Sequence, residues 1–351
     1  MSRSSTHDAP ESSLESLVSR TLGEGAPEDL VELLPVLTSD LAGIDQRIQQ
    51  VLPSTYPRLT DAATYALSAG GKRVRPLLMA AMSRAIGLDS VRPVYSLAAA
   101  FQLIHTATLV HDDVIDHAEM RRGRPSMPRA FGLPSSIVTG DYLFVRAFEL
   151  AAEYPRSIIL RCGESCAALV EGEVLQDSSR FDLTTGREHY FRVIERKTAA
   201  IVAAALASVG EIAGAPPEVR TASESYGRAL GVAFQIRDDL LDVYGDPDLL
   251  GKPLYTDLRE GNPTLVSLET YAELRGEERE EFERLFVQHR KTPGDLWRLR
   301  TLTDRTNAAR TVAQAAESWG EQAVRALESL PVGPYRTLLE WLARGAAARR
   351  F

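Results

Sequence analysis

The chain has 351 residues, 44% of them hydrophobic and 25% charged, with a formal net charge of −8. That length can bury a large core, and the mix is ordinary for a folded globular protein. The acidic balance argues against nucleic acid as a partner, because neutralising phosphates takes a basic surface, but it leaves room for a local basic pocket holding a small anion.

Residues 1–28 are rich in Ser and Glu and are predicted to be a disordered tail. The opening stretch has no apolar segment of the kind that directs secretion. No run reaches the roughly 18 apolar residues of a membrane span, so a cytoplasmic protein is expected. The nearest candidate for a span, "TAAIVAAALASVG" at 198–210, reads as a closely packed core helix. From 29 to 351 there is no linker, repeat or break in composition, which predicts a single domain. Alternating β-branched runs are scarce and apolar residues recur every three to four positions. Gly and Pro interrupt this pattern at 68–72, 121–125, 131–136, 153–155, 182–186, 214–217 and 244–253. The apolar helices between these breaks must bury one another. The predicted fold class is therefore all-α, one large helical bundle of about ten or more helices.

In chain order, "GGKRVRP" first sets Lys72, Arg73 and Arg75 beside two glycines. A long helix is predicted over 94–116, where Leu97, Phe101, Ile104 or His105, Thr108 and Asp112 share a face. It ends in Asp112-Asp113-Val-Ile-Asp116. The first and last aspartates, four apart, stand one above the other, and the middle one is turned by about a quarter of a revolution. Arg121 and Arg122 follow, and Gly123 lets the chain turn. Cys162 and Cys166, four apart, read as small core residues rather than zinc ligands, which would need more partners nearby. Lys197 lies near a turn, as does Lys252. Asp238-Asp239-Leu-Leu-Asp242 repeats the first acidic pattern inside another apolar helix.

A single cluster of this kind could be a solvated face. Two, each embedded in apolar helix, call for counter-charge. Hard divalent cations supply it through oxygen ligands, and Mg²⁺ favours a few carboxylates together with substrate phosphates. Arg grips phosphate bidentately and Lys acts as a point charge. The basic residues are therefore expected to meet phosphates rather than the aspartates beside them. Taken together, the residues predict two diphosphate sites, one bridged by metal and one held directly by cations.

These motifs, in order "GGKRVRP", "HTATLVHDDVIDHAEMRRGRP", "GDYLF", "EGEVLQ", "KTA", "GVAFQIRDDLLD" and "DLREGNPTL", resemble the trans-isoprenyl diphosphate synthases (the polyprenyl synthetase family) from about Leu41 to the C-terminus. The resemblance implies an all-helical fold around a central apolar cavity, and a Mg²⁺-dependent condensation of isopentenyl diphosphate with an allylic diphosphate. It implies that Asp112, Asp116, Asp238 and Asp242 make up the Mg²⁺ site, about three ions per site, with Asp112, Asp116 and Asp238 as direct ligands and Asp242 and Asp113 acting through water or hydrogen bonds. Arg121, Lys197 and Lys252 would hold the allylic diphosphate. Lys72, Arg75, His105 and Arg122 would hold isopentenyl diphosphate. Thr198 and Gln235 would offer oxygen dipoles to the developing cation. No side chain reads as a strong base; His105 is better used on phosphate and His111 reads as structural, so the departing diphosphate is expected to take the proton. One departure is Asn262, where many relatives carry a lysine that touches the allylic diphosphate.

Product length should be set below the first aspartates. Thr108 and Ala107 lie about 6–7.5 Å down the helix at 1.5 Å per residue. Neither is aromatic, and neither would plug a groove. Ile104 lies lower, and Phe101, roughly 16 Å down, is the first bulky floor. A medium- or long-chain product, heptaprenyl or octaprenyl, is expected. A geranylgeranyl synthase, a class I terpene cyclase and a subunit of a heteromeric synthase are the rival readings. The resemblance also implies a homodimer, with at most transient contact with a membrane.

Overall fold

The computed structural model describes residues 26–68, 73–247 and 253–348. The chain forms helices α1 (Glu28–Val31), α2 (Leu34–Val51), α3 (Pro57–Ser68), α4 (Val74–Ile86) and α5 (Tyr95–Ile115), then the strands β1 (Met120–Arg121) and β2 (Arg124–Pro125). Helices α6 (Met127–Phe131), α7 (Leu133–Ala151), α8 (Arg156–Ser178) and α9 (Gly186–Ile194) follow. A π-helical turn, Glu195–Ala199, leads directly into α10 (Ala200–Ile212). Helix α11 (Pro217–Tyr244) precedes α12 (Thr256–Glu260), α13 (Leu265–Glu273), α14 (Gly276–Phe286), α15 (Pro293–Thr303), α16 (Ala308–Ala326) and α17 (Pro334–Ala348).

The predicted all-α architecture is what forms, and the Gly/Pro breaks coincide with helix ends. Pro217 opens α11 at a position where its missing N–H costs nothing. Gly132 and Gly186 take up positive φ just before α7 and at the start of α9. The exception is "RRGRP", which forms an antiparallel two-stranded hairpin. Arg122 (φ 51°) and Gly123 (φ 76°) make its turn, and positive φ at both central positions suits the strand twist.

Two buried clusters hold the bundle. One joins Leu37, Ile44, Leu77, Phe101, Leu143, Leu206 and Leu339 across α2, α4, α5, α7, α10 and α17. The other joins Ile236, Leu240, Phe282, Phe286, Leu299 and Val312 at the far end of α11. Trp319 packs against both. One helical stretch among the described residues, Arg92–Ile115, is long and apolar enough to cross a membrane, and 78% of its apolar window is buried inside the protein. This corrects the choice of 198–210 as the nearest candidate. Single polar residues such as Gln102 and His105 interrupt the apolar run in 92–115 without lowering its mean hydropathy enough to disqualify it.

Candidate active site

Helix α5 gives the site two faces. At about 100° per residue, Asp112 and Asp116 share one direction while Asp113 points a quarter turn away. Asp112 is mostly buried. Burial pushes its carboxyl up to about 6; Lys197 opposes this, Glu173 and Asp116 add to it, and Arg121 opposes it more weakly. Asp116 caps the C-terminus of α5, where its Oδ1 lies 3.4 Å from Nη2 of Arg180. Asp113 is 2% exposed. Its Oδ1 accepts from Arg121 Nε at 2.7 Å and meets Nη2 at 2.6 Å. This corrects the expectation that Arg121 faces phosphate alone: two of its donors are already spent on an aspartate. The hairpin brings Arg121 back onto α5, and a buried carboxylate needs a cation.

On the same side as Asp113, Arg73, His105, Arg121, Arg122 and Arg124 line a cleft with Tyr65, Gln102 and Thr106. Like charges crowd there. Burial, and secondarily Arg122, lower Arg75 to about 10. Burial lowers Arg122 as well, helped by Arg121 and Arg73. Burial followed by Arg75, Arg122, Arg121 and Arg73 holds His105 well below the usual imidazole range. Arg75 Nε makes no hydrogen bond. Such a cluster favours an anion. Arg124 has structural work instead, donating to Ser68 Oγ at 3.1 Å and lying over the Tyr65 ring. Lys72 and Lys252 lie outside the described residues.

Lys197 and Thr198 sit in the π-turn between α9 and α10, a break that the sequence pattern does not announce. Close approach holds it in place. A Cβ on Gly172 would come within 2.7 Å of the Lys197 backbone nitrogen, and one on Gly231 within 2.6 Å of Ala199 Cα. Lys197 Nζ donates to Gln176 Oε1 at 2.8 Å and pairs with Glu173, both residues of "EGEVLQ". The Thr198 hydroxyl donates to Gln235 Oε1 at 2.9 Å. Gln235 Nε2 donates to Asp239 Oδ1 at 2.8 Å, and the Tyr190 hydroxyl donates to Asp239 Oδ2 at 2.7 Å. Thr198 and Gln235 therefore stand together, and the relay fixes which way the Gln235 amide points. Burial, with Asp257 adding, pushes Asp239 well up, and Tyr190 and Gln235 pull it back.

Asp242 needs correction as a metal ligand. It is 1% exposed, and its two carboxylate oxygens accept from the backbone N–H groups of Thr256 (3.2 Å) and Asp257 (3.1 Å). It thus caps α12 from α11, satisfying N–H groups that have no partner within their own helix. Asp238 remains partly exposed on α11. Glu260 ties the two acidic regions together, because Asp116 and Asp257 both push its carboxyl up, after burial, while Arg180 pulls it down. Asn262 is buried, and its Nδ2 donates to Asp257 Oδ1 (3.2 Å) and Glu260 Oε2 (3.0 Å). Among the described residues, no three Asp, Glu, His or Cys side chains converge on one point as a metal cage would. The donor set is all carboxylate oxygen, which fits a hard cation completed by substrate oxygens. His111 packs on α7, with Nε2 3.2 Å from the Ile137 carbonyl, as a structural residue. Phe101, Ile104, Ala107 and Thr108 are all buried on α5, the first three within the larger core cluster.

An all-helical bundle with a carboxylate-rich mouth beside an arginine cleft defines the class of isoprenoid diphosphate enzymes. The chain belongs to the polyprenyl synthetase family, whose model matches residues 56–301, and it is a trans-prenyltransferase. It is 34% identical to the octaprenyl diphosphate synthase of Escherichia coli, over 92% of this chain and 99% of that protein. Among solved structures it resembles a decaprenyl diphosphate synthase from Rhodobacter capsulatus (36% identity, TM-score 0.85, covering 91% of this chain and 99% of that one). It also resembles a polyprenyl synthase from Caulobacter crescentus complexed with calcium and isoprenyl diphosphate (36% identity, TM-score 0.86, 92% and 98%).

Proposed function

We propose that this chain condenses isopentenyl diphosphate with an allylic diphosphate to build a medium- or long-chain trans-polyprenyl diphosphate, in the heptaprenyl to octaprenyl class. One observation carries the reading. Adjacent faces of α5 present a carboxylate pair, Asp112 and Asp116, and an arginine cleft lined by Gln102, Thr106 and Asp113, with His105 at the edge between the two. A reaction joining two diphosphates needs two such sites, whereas a terpene cyclase needs one.

Asp112, Asp116 and Asp238 would hold Mg²⁺, about three ions with substrate bound, and the metal would neutralise the leaving diphosphate. Lys197, with Arg121's remaining donors and Lys252, would bind the same diphosphate. Arg75, His105 and Arg122, together with Lys72, would bind isopentenyl diphosphate. The oxygens of Thr198 and Gln235 would face the allylic cation as it forms. The apolar wall below would keep water from it. The isopentenyl double bond then attacks C1, and the departing diphosphate takes the proton.

The tail would descend past Thr108 and Ala107 toward Ile104 and Phe101. A homodimer is part of the same proposal, supported by exposed apolar side chains on α7 (Ile137, Val138, Val145) and α8 (Val170, Val174) that a second copy could cover. So are a cytoplasmic location and only transient membrane contact by a greasy product.

The test is incubation with labelled isopentenyl diphosphate, Mg²⁺ and a series of allylic primers. A ladder ending at seven or eight isoprene units is the expected outcome, whereas cyclised hydrocarbon without isopentenyl consumption would end the reading. Ala107→Tyr should shorten the ladder, and an unchanged length would remove the groove assignment.

A further inference from the structure

We propose that Arg180 is a substrate-binding residue of the allylic diphosphate site, the cation that the turn containing Asn262 lacks. The inference rests on the function proposed above.

Arg180 follows the end of α8 and reaches the mouth of the site. Its Nη2 stands 3.4 Å from Asp116 Oδ1, long for a charge-assisted bond. Its Nε, 3.6 Å from Asp177 Oδ1, is buried and makes no hydrogen bond. A partly exposed guanidinium whose Nε is buried without a hydrogen bond, and whose ion pairs are long, is poised for another anion.

The backbone fixes it there. Phe181 takes φ 65°, in the left-handed region that non-glycine residues rarely occupy. Its N–H donates to the Gly261 carbonyl at 2.7 Å. A Cβ on Gly261 would come within 2.2 Å of the Phe181 ring, so this docking requires glycine. Strain held by its surroundings in this way gathers at functional sites. The docking sets Arg180 directly against the 260–262 turn. That turn offers Glu260 and, through Asn262, Asp257. With Asp116 these carboxylates would repel a diphosphate. Asn262 brings no charge, and Arg180 is the cation that lowers Glu260. With Asp116 engaged by a metal, the Arg180 fork would be free to meet phosphate oxygens, which Arg suits.

The test compares Arg180→Ala, Arg180→Lys and the double variant Arg180→Ala/Asn262→Lys in the full chain. Two readouts are used: KM for the allylic primer against KM for isopentenyl diphosphate, and binding of inorganic pyrophosphate with Mg²⁺ by calorimetry. Arg180→Ala should raise the primer KM and the pyrophosphate Kd about 10- to 100-fold, the size of one charge-assisted hydrogen bond, and leave the isopentenyl KM unchanged. Arg180→Lys, and a lysine introduced at position 262, should each recover part of the loss. Unchanged pyrophosphate binding in Arg180→Ala overturns the proposal. So does an equal rise in both KM values with a lowered melting temperature, or failure of both lysines to recover anything. If wild type made no prenyl product, the condensation reading would fall, but pyrophosphate binding would still decide the role of Arg180.

Discussion

In the first aspartate triplet the middle carboxylate is the one turned inward, on Arg121; in the second, the middle and the last are both turned inward, on Tyr190 with Gln235 and on the start of α12. The same five-residue pattern therefore leaves a partly exposed Asp112 and an exposed Asp116 on α5, and a partly exposed Asp238 on α11. The asymmetry teaches that a repeated motif does not imply repeated duties. Each helix gives its structural aspartates to whatever the neighbouring elements supply, and the more exposed ones stand at the mouth of the site.

The sharpest way to break this comparison is to neutralise one available carboxylate on each side. Asp112→Asn and Asp238→Asn should each cut turnover on the order of 10²–10³-fold or more, the scale of losing a preorganised electrostatic partner of a transition state. Both should keep wild-type circular dichroism, since asparagine matches aspartate in size and its side-chain oxygen still accepts a hydrogen bond. Turnover of labelled isopentenyl diphosphate with Mg²⁺ retained in both variants would mean that the inward and outward aspartates have been sorted wrongly.

A smaller effect follows from the cost of keeping Asp112 where it is. Its carboxyl is pushed up to about 6 from an ordinary 3.8, chiefly by burial. The folded state therefore holds this proton more tightly than the unfolded one. Below the unfolded value both states are protonated and nothing is lost; between the two values the penalty grows, and above about 6 it is complete. In metal-free protein, Asp112→Asn should thus raise stability at about pH 8, by at most roughly 3 kcal/mol, with the gain shrinking toward about pH 4. Thermal unfolding in chelator across that range is the measurement. A gain independent of pH, or a loss at high pH, would show that burial of a charged Asp112 is not what costs stability there.

Much of this was legible in the sequence. The helix breaks were written in Gly and Pro, and spacing alone set Asp112 and Asp116 on one face with Asp113 a quarter turn away. Which aspartates turn inward was not legible. That depends on Tyr190, 49 positions from Asp239, and on a hairpin that folds Arg121 back onto the helix it has just left. The π-turn at Glu195–Ala199 was also hidden, because it arises from the close approach of Gly172 and Gly231 and leaves no periodic trace. Arg180 carried no motif at all; only the strained backbone at Phe181 and the fit of Gly261 against its ring single it out.

The smallest predicted effect is the one that separates the two ends of the second triplet. Asp242 holds the first N–H groups of α12 and is nearly inaccessible, whereas Asp238, one helical turn earlier, is partly open. Asp242→Ala should cost about 0.5–2 kcal/mol of stability, the range for a lost helix cap, while Asp238→Asn, which keeps the side chain's size and an acceptor oxygen, should cost less. In turnover the order should reverse, with Asp238→Asn much the more severe. Asp242→Ala should still weaken catalysis somewhat, because α12 leads directly into the turn bearing Glu260 and Asn262, and a frayed cap lets that turn drift from Asp116. Chemical denaturation of the metal-free variants beside their steady-state rates would show whether the two orders cross. If Asp242→Ala proved as stable as wild type yet as inactive as Asp238→Asn, the cap would be incidental and Asp242 would return to the metal.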